Sequence, residues 1–342
     1  MKKILSLIIV ISALLPGLRL RADEPSWLKY ITPTGYLQAG FSTDQDFDKT
    51  FYIQKARVAV KGTFFDEIRF GKLEYTIMAD FAKSPKLVDG FFKYTLNDYF
   101  GVQVGQFRTP LSIENSEYSS TTLEFIDYSL MKQRFVHLNS TDLAGIAASG
   151  RDIGLQFYGK IYKMNDGHHL IRYNVGVFNG AGISWRDDDK RKDFIARLMV
   201  YPLKDLAVSG YYLRTLGPHP DIAPEYNDYD WYIYDRYGGG VMYDSSYGWL
   251  RAEYMAGHTH GYRAQGAYGS IGGRIGKHWE VGLRYDYFDA NTRAVGGVQR
   301  YYTGCVNWKP WKFFKLQLNY SYRRDPDVNP THFVNLMATV KF

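Results

Sequence analysis

From Thr32 to Phe342 the chain is written almost without a break in runs of about nine to fourteen residues whose side chains alternate in character. This repetition limits the fold more than any motif does. The runs fall at 32–41, 52–64, 67–80, 86–96, 100–108, 151–162, 168–179 and 192–201 in the first half. They continue at 205–214, 234–243, 247–256, 268–276, 279–288, 299–308, 312–323 and 331–342. A period of two puts successive side chains on opposite faces of a strand, and a tilted strand of this length crosses a bilayer. In 312–323, Phe314, Leu316, Leu318, Tyr320 and Tyr322 share one face, and Lys315, Gln317, Asn319, Ser321 and Arg323 share the other. In 52–64 the row Ala56, Val58, Val60, Gly62, Phe64 opposes Lys55, Arg57, Ala59, Lys61, Thr63. Val281, Leu283, Tyr285 and Tyr287 oppose Gly282, Arg284 and Asp286 in the same way. A soluble barrel turns its apolar face inward. Charged rows repeated from strand to strand therefore require a wet interior and an apolar surround.

The connections sort into two kinds. Short ones are Phe65-Asp66, Asn97-Asp98-Tyr99, Pro202-Leu203-Lys204, Asp244-Ser245-Ser246, Lys277-His278 and Lys309-Pro310-Trp311. Longer ones lie at 42–51, 109–150, 180–191, 215–233, 257–267, 289–298 and 324–330, while 81–85 and 163–167 are intermediate. An even number of strands with short turns at one end and long loops at the other describes an up-and-down barrel of a bacterial outer membrane. A soluble sandwich has no reason to sort its loops. The expected fold is all-β: a 16-stranded antiparallel transmembrane β-barrel.

Composition agrees. Aromatic residues make up 17% of the chain, with 30 tyrosines, which suits strands and the two water–lipid boundaries. The mean hydropathy is slightly negative, which excludes a helical membrane bundle but not a barrel with a polar lumen. The one long apolar run, Ile4 to Leu15 behind Lys2-Lys3, reads as an export signal cleaved after Ala22, leaving 23–342 as the barrel. Its loss removes four cations and no acids, which lowers the formal charge from +7 to +3, so the basic pI says little about partners. Cys305 is the sole cysteine, so no internal disulfide forms and no thiolate metal cluster is available. The last run, Val334, Leu336, Ala338, Val340, Phe342, ends on an aromatic, as the C-terminal strands of outer-membrane proteins do.

One connection departs from the rest. Residues 109–150 form a loop of roughly forty residues where most loops need fewer than about fifteen. It starts at Thr109-Pro110, which ends the strand, and then carries Ile113, Leu123, Phe125, Ile126, Leu130, Phe135 and Leu138. A loop with that much apolar surface folds back onto its scaffold.

The same region carries a family likeness. Gly105-Gln106-Phe107-Arg108-Thr109-Pro110-Leu111-Ser112-Ile113-Glu114, Leu123-Glu124-Phe125-Ile126-Asp127-Tyr128-Ser129-Leu130 and Gly150-Arg151-Asp152-Ile153-Gly154 resemble the phosphate-selective porin O/P family, as does Tyr52-Ile53-Gln54-Lys55-Ala56-Arg57. The resemblance is sharp over about 50–160 and follows only the strand rhythm beyond. It implies a trimeric outer-membrane porin whose third loop narrows the channel, with anions bound by lumen cations and a serine pair on that loop. Ser119-Ser120 stand at the place of such a pair, and Lys132 and Arg134 are nearby loop cations.

Strand parity names the cations that line the lumen: Lys55, Arg57, Lys61, Lys72, Lys160, Arg172, Arg197, Arg236, Arg251, Arg274, Arg284, Lys315 and Arg323, with Arg108 at the loop's start. The lumen acids by the same rule are Glu74, Asp80, Asp152, Glu253 and Asp286. The excess of cations predicts passive diffusion of small hydrophilic solutes with a preference for anions, phosphate being the candidate ion. Pairs such as Lys72 with Glu74 or Arg251 with Glu253 offset part of it. No cofactor, metal or nucleic acid is expected. Gly276-Lys277-His278 fails as a phosphate loop because position 271 is Ile and no Ser or Thr follows the lysine. His258-Thr259-His260, His168-His169 and Asp187-Asp188-Asp189 read better as solvated loops than as metal sites. The rival functions are a barrel enzyme of lipase or protease type, which needs a catalytic cluster near one rim, and an exported carbohydrate-binding β protein, which would stay in buffer without detergent.

Overall fold

A computed structural model describes residues 30–342 apart from 47, 68, 137–149, 181, 185–191, 218–231, 260–261 and 295. The export signal at 1–22, Asp187-Asp188-Asp189 and His260 lie outside the described residues. Sixteen strands follow in order: β1 (Thr32–Asp44), β2 (Lys49–Glu67), β3 (Gly71–Asp80), β4 (Lys86–Thr95), β5 (Gly101–Arg108) and β6 (Arg151–Lys163). Next come β7 (His169–Phe178), β8 (Asp193–Leu203), β9 (Leu206–Gly217), β10 (Tyr232–Asp244) and β11 (Gly248–Thr259). The last are β12 (Tyr262–Ile275), β13 (Trp279–Asp289), β14 (Val298–Trp311), β15 (Phe314–Arg324) and β16 (Thr331–Lys341). Each pairs antiparallel with its neighbours, and β1 pairs with β16, so the sheet closes on itself and has no open edge. At the seam the amide of Phe342 donates to the Gly35 carbonyl, and Gly35 N–H donates back to the Phe342 carbonyl, each at 3.0 Å. Gly35 has to be glycine here: a Cβ would lie 2.6 Å from the Arg57 carbonyl oxygen on the neighbouring strand.

The faces are inside out relative to a soluble protein. On β15, Lys315 is 4% exposed, whereas Leu318 and Tyr320 are 44% and 49% exposed on the outer side. Leu283 on β13 is 66% exposed, while its neighbour Arg284 is buried. The outer surface carries aromatic rows at two heights. Trp279 and Trp308 stack at 6.2 Å near the short-turn end, and Tyr285, Tyr302 and Tyr322 form a row with centroids 5.1 and 6.1 Å apart toward the long loops. Amphipathic rings at both boundaries of an apolar band fit a bilayer-spanning wall.

Three expected connections move. The turn placed at Phe65-Asp66 is strand, because a bulge at Thr63/Phe65 carries β2 on to Glu67 and the chain turns at 69–70, before Gly71 at φ +76°. The loop expected at 257–267 shrinks to 260–261. Arg263-Ala264-Gln265-Gly266 lacks the apolar alternation, but a strand rising above the bilayer needs only its hydrogen bonds. Lys309-Pro310-Trp311 belongs to β14, and Pro310 sits at the register shift between Trp308 and Trp311, where no ladder bond is lost.

Candidate functional site

The first part of the long connection, Thr109 to Val136, enters the barrel. The two ends of the connection meet: Thr109 N–H donates to the Gly150 carbonyl at 3.1 Å, and the Asn115 amide donates to the carbonyls of Thr109 (2.9 Å) and Gly150 (3.1 Å). Two short helices follow, α1 (Ile113–Glu117) and α2 (Leu130–Phe135). Leu111, Leu130, Met131 and Phe135 pack on inward side chains of the wall, among them Ile195, Tyr211, Leu213, Met255 and Phe288. Part of the lumen is therefore a dry core, and the wet interior inferred from the charged rows is confined to the remainder.

Wall carboxylates rivet the loop to β11 and β13. Glu253 accepts from Ile113 N–H (2.6 Å), Glu114 N–H (2.9 Å), Ser112 Oγ (3.2 Å) and the Tyr268 hydroxyl (2.8 Å), taking up free amides at the start of α1. Asp286 accepts from Leu130 N–H at 2.9 Å at the start of α2 and from Arg284 at 2.7 Å. Within the loop, Glu114 accepts from the Ser129 amide (2.9 Å) and hydroxyl (2.6 Å), which joins the two helices. Ser112 holds φ +71° with ψ 144°, a backbone region that costs a non-glycine residue about 1–3 kcal/mol. Four hydrogen bonds on Glu253 offset that strain.

This docking decides the fate of the expected lumen cations. Arg236, Arg251, Arg284 and Lys315 face inward as parity requires, yet the loop covers them, so they do not line the channel. Arg251 pairs with Glu124 of the loop rather than Glu253 and lies 3.9 Å from the Tyr118 ring. Arg284 donates to the Asp127 carbonyl at 2.8 Å, and Lys315 donates to the Leu123 carbonyl. Arg236 donates to the carbonyls of Asp235 and His258, with its guanidinium 5.1 Å from Phe135. Arg274 is held by Asp244 at 2.7 Å and Glu280 at 3.4 Å. Arg251, Arg284 and Lys315 thus anchor the loop, while Arg236 and Arg274 are held mainly by the wall itself.

Loop residues divide in the same way. Ser120 is buried, its carbonyl accepting from Gln38 at 3.2 Å and its hydroxyl 3.3 Å from the Tyr36 hydroxyl, so it pins the loop to β1. Ser119 stays on the channel and shares its hydroxyl with Thr121 and Thr122 at 2.9 and 3.1 Å. Arg134 turns to the wall and donates to Gln299 at 3.1 Å. Lys132 is buried against Tyr128, and burial pushes its ammonium well below the usual lysine range.

The open passage lies between the loop and the wall from β1 to β8, as a cavity of about 450 Å³. Arg57, Lys61, Arg108, Arg151 and Arg197 line it, against Asp89 and Glu117 as the acids. Arg57 pairs with Asp80 at 2.8 Å, Arg151 with Asp89 at 2.7 Å and Arg197 with Glu117 at 2.7 Å. Arg108 donates to the carbonyls of Asn115 (3.2 Å) and Tyr118 (2.6 Å) and so keeps its full charge, while Lys61 has no acid within 4.0 Å among the described residues. Lys55 sits two residues from Arg57 on the same face of β2. Lys72 is tied to Glu74 at 2.9 Å near the short-turn end, and Arg172 lies 4.4 Å from the Tyr201 ring.

Arg151 is the channel cation that parity missed. Gly105 at φ +121° disturbs the alternation of β5, and across the β5–β6 register Arg151 faces Arg108. Asp152, expected in the lumen, instead accepts from the amides of Gly180 (2.6 Å) and Gly182 (3.2 Å) and shapes the next long loop. The signal available in the sequence was that an arginine stands at each end of the long loop, Arg108 before Thr109-Pro110 and Arg151 after Gly150.

A sixteen-stranded membrane barrel narrowed by its own third loop, with a charged water-filled passage beside it, is a porin of the bacterial outer membrane. The chain belongs to the family of phosphate-selective porins O and P, whose sequence profile matches residues 34–214 and 235–342. Solved structures with the same fold include an anion-selective porin from Comamonas acidovorans (13% identity, TM-score 0.70, covering 91% of this chain and 99% of that one). The outer-membrane channel DcaP of Acinetobacter baumannii is similar at 14% identity and TM-score 0.64, and OmpF of Salmonella typhi at 12% and 0.65, each covering 91% of this chain and 97% of the other. No curated protein matches the sequence.

Proposed function

We propose that this porin passes small hydrophilic anions passively, through the gap between the loop and the β1–β8 wall. The observation that carries the reading is the lining of that gap, five cations against two acids, with Arg108 and Lys61 lacking a carboxylate partner. An excess of fixed positive charge in a narrow aqueous pore raises the local anion concentration and repels cations. Arg57, Lys61, Arg108, Arg151 and Arg197 form the path at its narrowest part, with Lys55 above and Lys72 and Arg172 toward the periplasmic end. Ser119 supplies a hydroxyl beside it. Phosphate is the candidate physiological ion on family grounds, and the working form is a homotrimer embedded in outer-membrane lipid, exported by the segment 1–22. Single-channel recording with phosphate titrated into a chloride bath tests the site. Half-maximal block of chloride current at low phosphate, relieved in Arg108→Gln, supports phosphate binding; a current insensitive to phosphate contradicts it.

A further inference from the structure

We infer that the outer wall from β11 to β15 holds a phosphate-bearing lipid of the outer leaflet. Arg300 and Arg324 stand directly opposite each other on β14 and β15, at the end of the barrel that bears the long loops. They share parity with Tyr302 and Tyr322, so both point outward, and both are exposed. Like charges facing each other across two strands repel and destabilise the pair. Neither guanidinium has an acid within 4.0 Å among the described residues. Arg300 is instead laid toward the Tyr287 ring, 6.0 Å from its centroid, which fixes its direction without neutralising it. An anion with several acceptor oxygens placed between the two relieves the repulsion and suits the forked geometry of guanidinium donors.

What lies below the pair decides the kind of anion. Immediately toward the membrane centre the wall is hollowed into an apolar groove of about 670 Å³. Gly269 and Gly304 form its floor, and Ile271, Leu283, Tyr285 and Tyr302 are among its sides. A second hollow of about 700 Å³ continues it past Val306 and Leu318. From Tyr302 to Val306 the strand advances about 14 Å, enough for a good part of an acyl chain. Cationic pair, tyrosine collar and apolar groove thus stand in one line down the wall, matching a headgroup phosphate, the glycerol or sugar region and a tail. A free phosphate ion has no use for the groove, and a neighbouring copy of the chain would have to bring acids to two unpaired arginines. This assignment needs the outer-membrane orientation and is independent of the ion preference of the pore.

Native mass spectrometry tests it on the full barrel, delipidated in a neutral detergent and titrated with phosphatidic acid, phosphatidylcholine or inorganic phosphate. Phosphatidic acid should be retained at least about tenfold more tightly than phosphatidylcholine. The R300Q/R324Q double variant should lose that preference, and the double lysine variant, which keeps both charges, should retain most of it. Gly304→Leu should weaken retention of both lipids by filling the groove. Heat-modifiable mobility on gels shows that each variant is folded. Equal retention of the two lipids by the wild type, an unchanged preference in R300Q/R324Q, full displacement of the lipid by inorganic phosphate, or stoichiometric cross-linking of position 300 to a second copy would each overturn the assignment.

Discussion

Inward-facing arginines on this wall do two different jobs, and the partner decides which. Arg251 and Arg284 are locked to Glu124, Asp286 and loop carbonyls, whereas Arg108, Arg151 and Arg197 border water. A unit charge about 6 Å from a passing ion in a wet, partly shielded pore contributes about 1 kcal/mol, roughly fivefold in relative permeability. Arg151→Gln should therefore lower the anion-to-cation permeability ratio by about fivefold and leave Asp89 as an added cation attractant. Arg251→Gln should hardly change the ratio but should make open-channel current noisier as the loop loosens. Bilayer recordings of the two variants side by side check this contrast. Lys132 makes a separate prediction. Its ammonium is desolvated inside the loop, so its folded pKa lies below the unfolded value near 10.4 and the native state binds fewer protons between the two. Stability from this group is thus lowest below the folded value and rises as pH climbs toward the unfolded one. Lys132→Met removes the penalty, so its advantage in apparent Tm should be larger near pH 7 than at pH 10. A gap that widens with pH would contradict the assignment.

At the level of elements, the loop behaves as an internal domain that uses the lumen as its core. Deleting 113–135 should raise single-channel conductance, since this segment packs inside the bore. It should also strengthen anion preference, because it uncovers Arg236, Arg251, Arg284 and Lys315 together. Glu253→Ala is the milder probe. It strands four donors in a buried place and should cost about 3–5 kcal/mol in loop docking. Conductance then becomes unsteady while the barrel's heat-modifiable mobility is kept. Strand number, closure and the inside-out faces were all legible in the sequence, because a period of two fixes which side each residue takes. The loop's landing place was not, although β8 held a hint. Phe194-Ile195-Ala196 and Leu198-Met199-Val200 are apolar on both faces, which a strand does only where its inner face is also dry. Parity failed near the mouth of the long loop, since Gly105 at φ +121° breaks the alternation of β5 and Arg151 on β6 takes the side of its register partner Arg108.

For the molecule as a whole, the barrel separates three environments. The apolar outer face carries Leu283, Leu318 and Tyr320, a dry core joins the loop to inward side chains of β5, β7–β9 and β11–β13, and the open passage runs along β1–β8. Function belongs to the third, and its sign follows from the imbalance of charge there. The barrel's closure at Gly35 and Phe342 leaves the sheet without an open edge, and the hydrogen bonds on Glu253 and Asp286 hold the loop against it. The reversal potential of the wild-type barrel across a planar bilayer with a tenfold KCl gradient measures that imbalance most directly. A potential displaced toward the chloride equilibrium value is the predicted result; one displaced toward the potassium value would contradict the account.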